Sequence, residues 1–357
     1  INDPEGFWGD RATRIDWHVP PGRILDADRL PFTQWFVGGR TNLCHNAIDR
    51  HLPERANDTA LIYVSTETGI ETRYTFAELH AEVNRFAAIM QSLGVTQRHR
   101  VLIYLPMIPE AAFAMLACAR IGAIHSVVFG GFASVALASR IDDATPTLII
   151  SADAGSRAGK ILPYKPLLDE AIALCRQPPK HVLLVDRGLA DMARTPGRDV
   201  DYAPLRTQYM DAQVPCVWLD SNFPSYILYT SGTTGKPKGI VRDVGGYAVA
   251  LATAMDLIFQ GRPGDVMFTA SDIGWVVGHS FIVYGPLIQG VTTLMYEGTP
   301  IRPDGAIWWR LVEQYGVTQL FTAPTAIRVL KKQDPETLKR HDLSSLRTLF
   351  LAGEPLD

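Results

Sequence analysis

Short apolar runs alternate with longer amphipathic segments along most of this 357-residue chain, and this alternation restricts the possible folds more than any other feature. Residues 101–105 have the length and apolar content of a buried strand, whereas residues 109–121 are long enough for a helix and begin with proline, which suits a first turn. Strands that alternate with helices form βαβ units, and these units build parallel sheets covered by helices. The predicted fold class is therefore α/β.

The same patterns predict the remaining elements. Thr75 and Glu78 have the spacing of a capping box, which predicts a helix that starts there and stops at Gly94. The other predicted strands are residues 60–65, 125–129, 148–151, 181–185, 226–229, 266–269, 292–296, 319–322 and 346–351. The other predicted helices are residues 134–141, 166–175, 247–258, 308–315 and 323–332.

The first 57 residues differ from the rest, because they are rich in Pro, Asp, Arg and Trp and show weak periodicity. We interpret residues 1–57 as an extended wrap with one short helix near residues 41–52, and residues 58–357 as the main domain. Four charged residues lie at helical spacing in the wrap, and we expect them to dock it onto the main domain, since charge clusters are commonly paired or solvated. They are Arg40, His45, Asp49 and Arg50.

Composition excludes several function classes. A hydrophobic content of 47% with 20% charged residues is typical of a globular protein, and a formal net charge of −3 gives no electrostatic basis for binding nucleic acid or a membrane. The four cysteines are far apart and form no CxxC pair, which argues against a zinc or redox site and favours reduced thiols in the cytoplasm. They are Cys44, Cys118, Cys175 and Cys216.

The strongest chemical signal is the loop at residues 229–239, Tyr-Thr-Ser-Gly-Thr-Thr-Gly-Lys-Pro-Lys-Gly. Glycines allow a tight turn whose backbone N–H groups converge on an anion, while the hydroxyls add donors and the lysines add charge. The loop follows a predicted buried strand, so we expect it at the mouth of a parallel sheet, mobile when no ligand is bound. The pattern indicates a polyphosphate site.

Known phosphate loops of other classes do not fit this spacing. The P-loop needs four residues between its glycines, and the kinase loop needs GxGxxG. A flexible Ser/Thr/Gly linker is the remaining alternative, but linkers seldom place Lys-Pro-Lys directly after a buried strand.

The loop resembles the phosphate loop of the adenylate-forming enzymes, the acyl-CoA synthetase and luciferase superfamily. Other segments are similar to its short-chain acyl-CoA synthetase branch, and the last three in the list below are most similar to members that activate propionate. These segments are residues 36–51, 126–132, 274–280, 151–157, 242–247 and 351–357. The resemblance covers essentially the whole chain and implies the N-terminal adenylation domain of that fold.

The resemblance implies an ATP-dependent ligation of a short-chain carboxylate, propionate favoured, to coenzyme A. The reaction would pass through an acyl-adenylate and release AMP and pyrophosphate. ATP, Mg²⁺ and coenzyme A are the implied substrates and activating ion, and the implied partners are small-molecule substrates, with protein partners left open. Two alternatives remain. The substrate is acetate, or the chain is an inactive fragment that binds nucleotide or CoA.

The resemblance also implies where ATP binds. The implied residues are Thr230, Ser231, Gly232, Thr233, Thr234, Gly235, Lys236 and Lys238, followed by the turn Gly353, Glu354 and Pro355. Thr230 and Lys238 are the two implied catalytic residues. From spacing alone, the turn would be an ordinary strand end; by resemblance it lies against the adenine and ribose. No metal ligand is assigned.

The implied CoA site lies in a small-residue loop at residues 155–160, which spacing alone would make a solvated surface loop. By resemblance, Arg157 and Lys160 hold the 3′-phosphate, and Gly131 lies beside the pantetheine arm. The implied CoA-binding residues are Gly131, Arg157, Ala158, Gly159 and Lys160. Lysine in place of the second arginine usual in the family binds phosphate as a point charge, without a bidentate fork.

The implied acyl pocket consists of Trp275, Val276, Val277 and Ala352. Acetate-specific relatives carry Thr where Val277 stands and Val where Ala352 stands. The smaller alanine leaves room for a third carbon, and one methylene is worth roughly 1–3 kcal/mol in an apolar pocket.

We expect the chain to be part of a longer enzyme, with its adenylation domain incomplete at the C-terminal end. By resemblance, the aspartate that binds the ribose and the lid domain with its adenylation lysine would follow Asp357. The chain alone is therefore expected to be inactive. Because residue 1 is not methionine, the sequence leaves open whether a targeting segment precedes it.

Overall fold

The computed structural model describes residues 3–230 and 238–355. The wrap is more regular than predicted, because it opens with a helix. Pro4 lies in the first turn of this helix, and Asp3 accepts a hydrogen bond from Gly6 N at 2.8 Å. The elements of the wrap are Pro4–Ala12 (α1), Arg23–Asp26 (β1), Gln34–Val37 (β2), Arg40–Thr41 (β3), Leu43–Ala47 (α2), a 3₁₀ turn at Asp49–His51, and Leu52–Arg55 (α3).

The central part of the chain follows the predicted alternation with one addition. Residues 154–163 form a hairpin where a surface loop was expected. The elements are Thr59–Ser65 (β4), Glu71–Thr75 (β5), Phe76–Ser92 (α4), Arg100–Tyr104 (β6), Pro109–Ile121 (α5), Ile124–Val127 (β7), Ser134–Ala144 (α6), Leu148–Ala152 (β8), Ala154–Arg157 (β9), Lys160–Pro163 (β10), Tyr164–Leu174 (α7), His181–Val185 (β11), Asp199–Asp201 (β12), Tyr202–Gln208 (α8), Leu219–Asp220 (β13) and Pro224–Thr230 (β14). The predicted capping box of α4 is confirmed.

The last part adds a π-helix that the sequence pattern did not indicate. Its elements are Lys238–Asp243 (β15), Gly245–Leu257 (α9), Val266–Thr269 (β16), Val276–Gly278 (α10), the π-helix His279–Tyr284, Gly285–Gln289 (α11), Thr292–Glu297 (β17), Ile307–Tyr315 (α12), Gln319–Thr322 (β18), Pro324–Lys331 (α13), Glu336–Lys339 (α14) and Thr348–Leu351 (β19). Among these and the earlier helices of the described ranges, none is long and apolar enough to cross a membrane.

Two large sheets organise the fold. The first has seven strands in the order β12-β11-β8-β6-β7-β14-β15, parallel except for the antiparallel edge strand β15. The second has six strands in the order β19-β18-β16-β17-β4-β5, parallel except for the antiparallel edge strand β5. The predicted α/β class is confirmed, with the parallel strands divided between two sheets.

A layer of helices fills the space between the two sheets. Side chains of α4, α5, α9 and α11 share one apolar cluster with residues of both sheets. Successive residues of β6 show the alternation: Val101 and Ile103 face this central cluster, whereas Leu102 and Tyr104 face a second cluster under α6 and α7. Helices α12 and α13 cover the outer face of the second sheet. The central parallel strands of both sheets are therefore buried on both faces, as parallel strands require, whereas the edge strand β15 is exposed.

The wrap is docked through buried polar contacts of Asp49 and Arg50, as predicted. The Asp49 carboxylate accepts two hydrogen bonds from Arg120, at 2.8 and 2.9 Å. Arg50 donates to the carbonyl of Ile288. The other two members of the predicted group dock without ion pairs to the main domain: His45 packs edge-on against Trp218, and Arg40 pairs through its backbone in β3 with β13.

Replacing Asp49 by asparagine should destabilise the fold strongly. The Arg120 side chain is only 4% exposed, so losing its counter-ion leaves a buried charge unpaired. Such a loss typically lowers the free energy of unfolding by about 3 kcal/mol. Urea unfolding of Asp49→Asn would measure this, with Asp16→Asn as the control, because Asp16 is 53% exposed in its pair with His45. Equal losses in both variants would contradict the docking role of Asp49.

The contribution of Asp49 should also depend on pH. Burial disfavours its ionised form, but hydrogen bonds from His80 and Arg120 outweigh this and hold the pKa of Asp49 well below its ordinary value. A carboxylate with a depressed pKa stabilises the fold above its unfolded value, near 4, and loses that contribution as the pH falls. The difference between native chain and Asp49→Asn should therefore shrink when unfolding is repeated below about pH 4.

Candidate active site

A cleft of about 580 Å³ opens where the carboxyl ends of strands from both sheets meet. Its walls follow β6, β7 and the β9–β10 hairpin on one side, and β16, β17 and β18 on the other. The lining includes Met107, Phe129, Gly130, Gly131, Ser156, Arg157, Tyr164, Asp272, Trp275, Tyr296, Glu297 and Trp308. Three residues predicted for two different ligands thus share one cleft: Gly131, Arg157 and Trp275.

The predicted CoA-binding loop is a tight hairpin. Arg157 and Lys160 are directly paired across it, and Ala158 and Gly159 form its two-residue turn with φ angles of +54° and +75°. Side chains of directly opposed residues project on the same side, so the two cations lie next to each other. The Arg157 guanidinium also lies over the ring of Phe129, with Cζ 5.6 Å from the ring centre. The pairing favours an anion site on this surface.

Glu67 already occupies the backbone donors of this turn, and sequence reasoning missed it. Its carboxylate accepts hydrogen bonds from Ser156 Oγ at 2.6 Å, Ala158 N at 2.9 Å and Gly159 N at 2.8 Å. Although burial favours the protonated form, these bonds hold the pKa of Glu67 below its ordinary value. A phosphate would therefore meet the side chains of Arg157 and Lys160, not the turn amides.

Gly130 and Gly131 allow close packing at the cleft wall. A Cβ on Gly130 would lie 1.7 Å from the Tyr164 hydroxyl, and one on Gly131 would lie 2.4 Å from the Phe129 ring. Both distances are impossible without movement of the neighbouring ring. The predicted role of Gly131 beside a ligand is compatible with this geometry, because the missing side chain keeps the cleft open.

Glu297 is a second residue that the sequence pattern did not reveal. Its Oε2 accepts hydrogen bonds from Tyr63, Ser65 and Arg187, each at 2.7 Å. Its Oε1 is buried and has no partner among the described residues, although the side chain lines the cleft. A buried acceptor that lacks a donor is rare, so this oxygen is suited to an N–H or O–H group of a ligand.

Asp272 brings another carboxylate to the cleft. Its Oδ1 accepts a hydrogen bond from Gly274 N at 2.7 Å. Burial raises the pKa of Asp272 to about 6, opposed by this bond and by the charge of Arg157. Asp272 therefore changes charge near neutral pH beside the predicted phosphate-binding arginine.

The predicted acyl-pocket residues are only partly brought together. Trp275 lines the cleft and packs on Phe129, with ring centres 5.8 Å apart. Val277 packs on an apolar cluster that also receives Phe350, two residues before Ala352. Val276 and Ala352 themselves are exposed. His279 is fully buried, with Nδ1 3.2 Å from the Trp275 carbonyl.

The described ends of the phosphate loop lie at the predicted place. Thr230 ends β14, which runs parallel to β7, so it lies at the same carboxyl edge as the cleft. Lys238 begins β15 and is paired with Thr230. The predicted site residues Ser231, Gly232, Thr233, Thr234, Gly235 and Lys236 lie outside the described residues, as does the predicted mobility of the loop.

The predicted adenine-side turn is tied to the start of α13. Glu354 accepts a hydrogen bond from Thr325 N at 2.9 Å and pairs with Arg328 at 3.0 Å. Arg328 also donates to the Pro355 carbonyl at 2.8 Å. Gly353 has a φ of +101°, a backbone conformation that favours glycine. These contacts explain the shape of the turn, and its role in ATP binding stays a prediction.

Comparison with known families identifies the class. Residues 48–357 match the family model described as AMP-binding enzyme, and residues 1–47 match the model described as acetyl-coenzyme A synthetase N-terminus. The chain belongs to the AMP-binding enzyme family.

The chain is also similar to individual proteins of known name. Over its whole length the chain is 63% identical to the propionate–CoA ligases of Salmonella typhimurium and Escherichia coli, and it covers 57% of each. It is 44% identical to human mitochondrial acyl-CoA synthetase short-chain family member 3, of which it covers 52%. The chain therefore spans a little over half the length of these relatives.

Anion binding at the cleft should strengthen as the pH falls through about 6. Protonation of Asp272 removes a negative charge near Arg157, so a phosphorylated ligand is repelled less below that pH. Titration of coenzyme A into the native chain and into Asp272→Asn between pH 5 and 8 would test this. A phosphate monoester itself titrates near pH 6, so the informative quantity is the difference between the two profiles. Superimposable profiles would exclude Asp272 as the cause.

Proposed function

We propose that this chain supplies the nucleotide, acyl and CoA sites of an enzyme that ligates propionate to coenzyme A at the expense of ATP. The observation that carries the proposal is the single cleft shared by Gly131, Arg157 and Trp275. Support comes from the 63% identity to propionate–CoA ligases, although the chain spans 57% of their length. Such an enzyme is an AMP-forming acid–thiol ligase.

In the first half-reaction, the propionate carboxylate attacks the α-phosphorus of ATP and displaces pyrophosphate. The product is propionyl-AMP, and no protein nucleophile takes part. The protein's contribution is to position the reactants and to neutralise charge. Thr230 and Lys238, at the paired ends of β14 and β15, would contact the phosphates together with the loop between them. Gly353, Glu354 and Pro355 would lie on the adenine side.

In the second half-reaction, the thiol of coenzyme A attacks the acyl carbon and AMP leaves. Arg157 and Lys160 would bind the 3′-phosphate, and Gly131 would border the pantetheine arm. The unpartnered Oε1 of Glu297 would accept a hydrogen bond from an amide or hydroxyl of that arm. Ala158 and Gly159 would act indirectly, because Glu67 holds their N–H groups and so fixes the hairpin that presents Arg157.

Mg²⁺ would neutralise charge on the ATP phosphates. Its preferred ligands are oxygens in near-octahedral geometry. Next to the part of the phosphate loop outside the described residues, Thr230 offers a hydroxyl and Lys238 offers a cation. These two groups cannot form a set of Mg²⁺ ligands. We therefore assign no residue to the ion. Small-molecule substrates and a cytoplasmic location complete the proposal.

Arg157→Ala should weaken coenzyme A binding to the chain about tenfold. A charged hydrogen bond is worth roughly 1.5–3 kcal/mol, and 1.4 kcal/mol corresponds to a factor of ten. Calorimetric titration with coenzyme A and with dephospho-coenzyme A would measure it, and the variant should lose affinity only for the former. Arg176→Ala is the matched control, because that side chain is 86% exposed outside the cleft. An equal loss of affinity for both ligands would show that Arg157 does not bind the 3′-phosphate.

Ala352→Val should shift substrate preference from propionate towards acetate by about tenfold in the ratio of kcat/KM, because the added methyls fill the space of the third carbon. The assay needs a catalytically complete protein, so the chain would be joined to the remaining C-terminal part of the Salmonella relative. The readout is pyrophosphate–ATP exchange, measured with propionate and with acetate. Ala77→Val, at an exposed alanine of α4, is the control.

The exchange assay also separates the alternatives. Exchange with acetate but not propionate would favour an acetate–CoA ligase. A folded chimera that binds ATP and coenzyme A without exchange would favour a binding module. An unchanged preference in Ala352→Val would place the acyl pocket elsewhere.

A further inference from the structure

Two cysteines that are far apart in the sequence lie side by side where the wrap meets the main domain. The antiparallel pairing of β3 with β13 sets Thr41 opposite Leu219, and Cys44 lies just beyond this pair, in the first turn of α2. Asn42 Nδ2 holds the two segments together by donating to the Val217 carbonyl at 2.8 Å. The two sulfur atoms and a carboxylate oxygen of Asp49 all lie within 4.8 Å of one another.

Polar neighbours surround the pair. The Arg120 guanidinium donates to Cys44 Sγ at 3.4 Å, and the Cys216 thiol donates to Asp49 Oδ2 at 3.7 Å. Cys44 is fully buried, whereas Cys216 is partly exposed. The Arg120 guanidinium therefore lies against Cys44 Sγ, whereas a hydrogen bond with Cys44, burial and the Asp49 carboxylate raise the pKa of the Cys216 thiol. The spacing along the sequence argued against a redox site, but the fold brings these two cysteines close together in space.

The same three groups could in principle ligate a metal ion, but a cation is already present. Arg120 contacts Cys44 and both oxygens of Asp49, and its Nε donates to the Val214 carbonyl. A metal ion would have to displace this buried guanidinium and leave its charge unpaired. The arrangement favours the thiols as reactive groups over their use as ligands.

We propose that Cys44 and Cys216 form a reversible disulfide when the chain meets a peroxide. Hydrogen peroxide oxidises one thiol of the pair to a sulfenic acid and releases one water. The other sulfur then attacks the sulfenic sulfur, forming the S–S bond and releasing a second water. The two thiols lose two electrons and two protons in total, and the peroxide accepts both. A thiol reductant reverses the reaction by exchange.

The bond would join the wrap to the main domain covalently. A disulfide needs its sulfur atoms about 2.05 Å apart, so the two sulfur atoms must approach from a separation within 4.8 Å. Closing so long a segment of chain restricts the unfolded state. The oxidised chain should consequently unfold at a higher temperature than the reduced chain, by about 5 °C.

The test uses the native chain treated with a small excess of hydrogen peroxide, then unfolded in urea and blocked with an alkylating reagent. Non-reducing peptide mass spectrometry should find one linked pair containing Cys44 and Cys216, while Cys118 and Cys175 are alkylated. The rise in melting temperature should appear in the same sample and vanish with dithiothreitol. Cys175→Ser, which removes another partly exposed thiol, should retain both results, and Cys216→Ser should lose both.

Three outcomes would overturn the proposal. The first is full alkylation of Cys44 and Cys216 after peroxide treatment. The second is oxidation of Cys216 to a sulfinic or sulfonic acid without a linked peptide. The third is stoichiometric zinc binding by the untreated native chain that protects both thiols from alkylation, which would establish a metal site instead. The first two need no variant, so they do not depend on the folding of Cys216→Ser.

Discussion

The helical layer between the two sheets is the feature on which the rest of the structure depends. One face of each sheet is buried in the same apolar cluster by helices α4, α5, α9 and α11. This shared packing fixes the orientation of one sheet relative to the other. Their carboxyl edges consequently face a common cleft, to which each sheet supplies one wall. Removal of apolar surface from water thus sets the position of side chains that have no apolar role, among them Arg157 and Asp272.

The wrap extends this dependence to residues outside the sheets. The Asn42 side chain donates hydrogen bonds to the carbonyls of Ala119 and Val217, both at 2.8 Å. Arg120, at the end of α5, donates to the Asp49 carboxylate. These groups are buried, so each is satisfied only when the wrap is in place. The same arrangement brings Cys44 and Cys216 together, which makes the thiol pair a consequence of docking.

Local sequence pattern was enough to predict most of the helices and strands and the α/β fold class, because strand length, helical spacing and caps are properties of neighbouring residues. The capping box at Thr75 and the helix at Pro109–Ile121 are examples. Helix α1 was missed although Asp3 and Pro4 are ordinary start signals, because its apolar residues form no clear stripe. The family resemblance, not the pattern, supplied the roles of Arg157 and Trp275. Glu67 and Glu297 could not be found either way, since their partners come from separate elements that meet only in the fold.

Three polar contacts cross the cleft and join the two sheets. Arg187, after β11, pairs with Glu297 at the end of β17; Glu67, after β4, binds the turn of the β9–β10 hairpin; and Arg302, after β17, donates to the Ala158 carbonyl in that same turn. Widening the cleft would therefore break these hydrogen bonds, one of which belongs to a buried ion pair. These contacts tie the two walls of the cleft together, so we expect a ligand to be accommodated by movement of side chains more than by separation of the sheets.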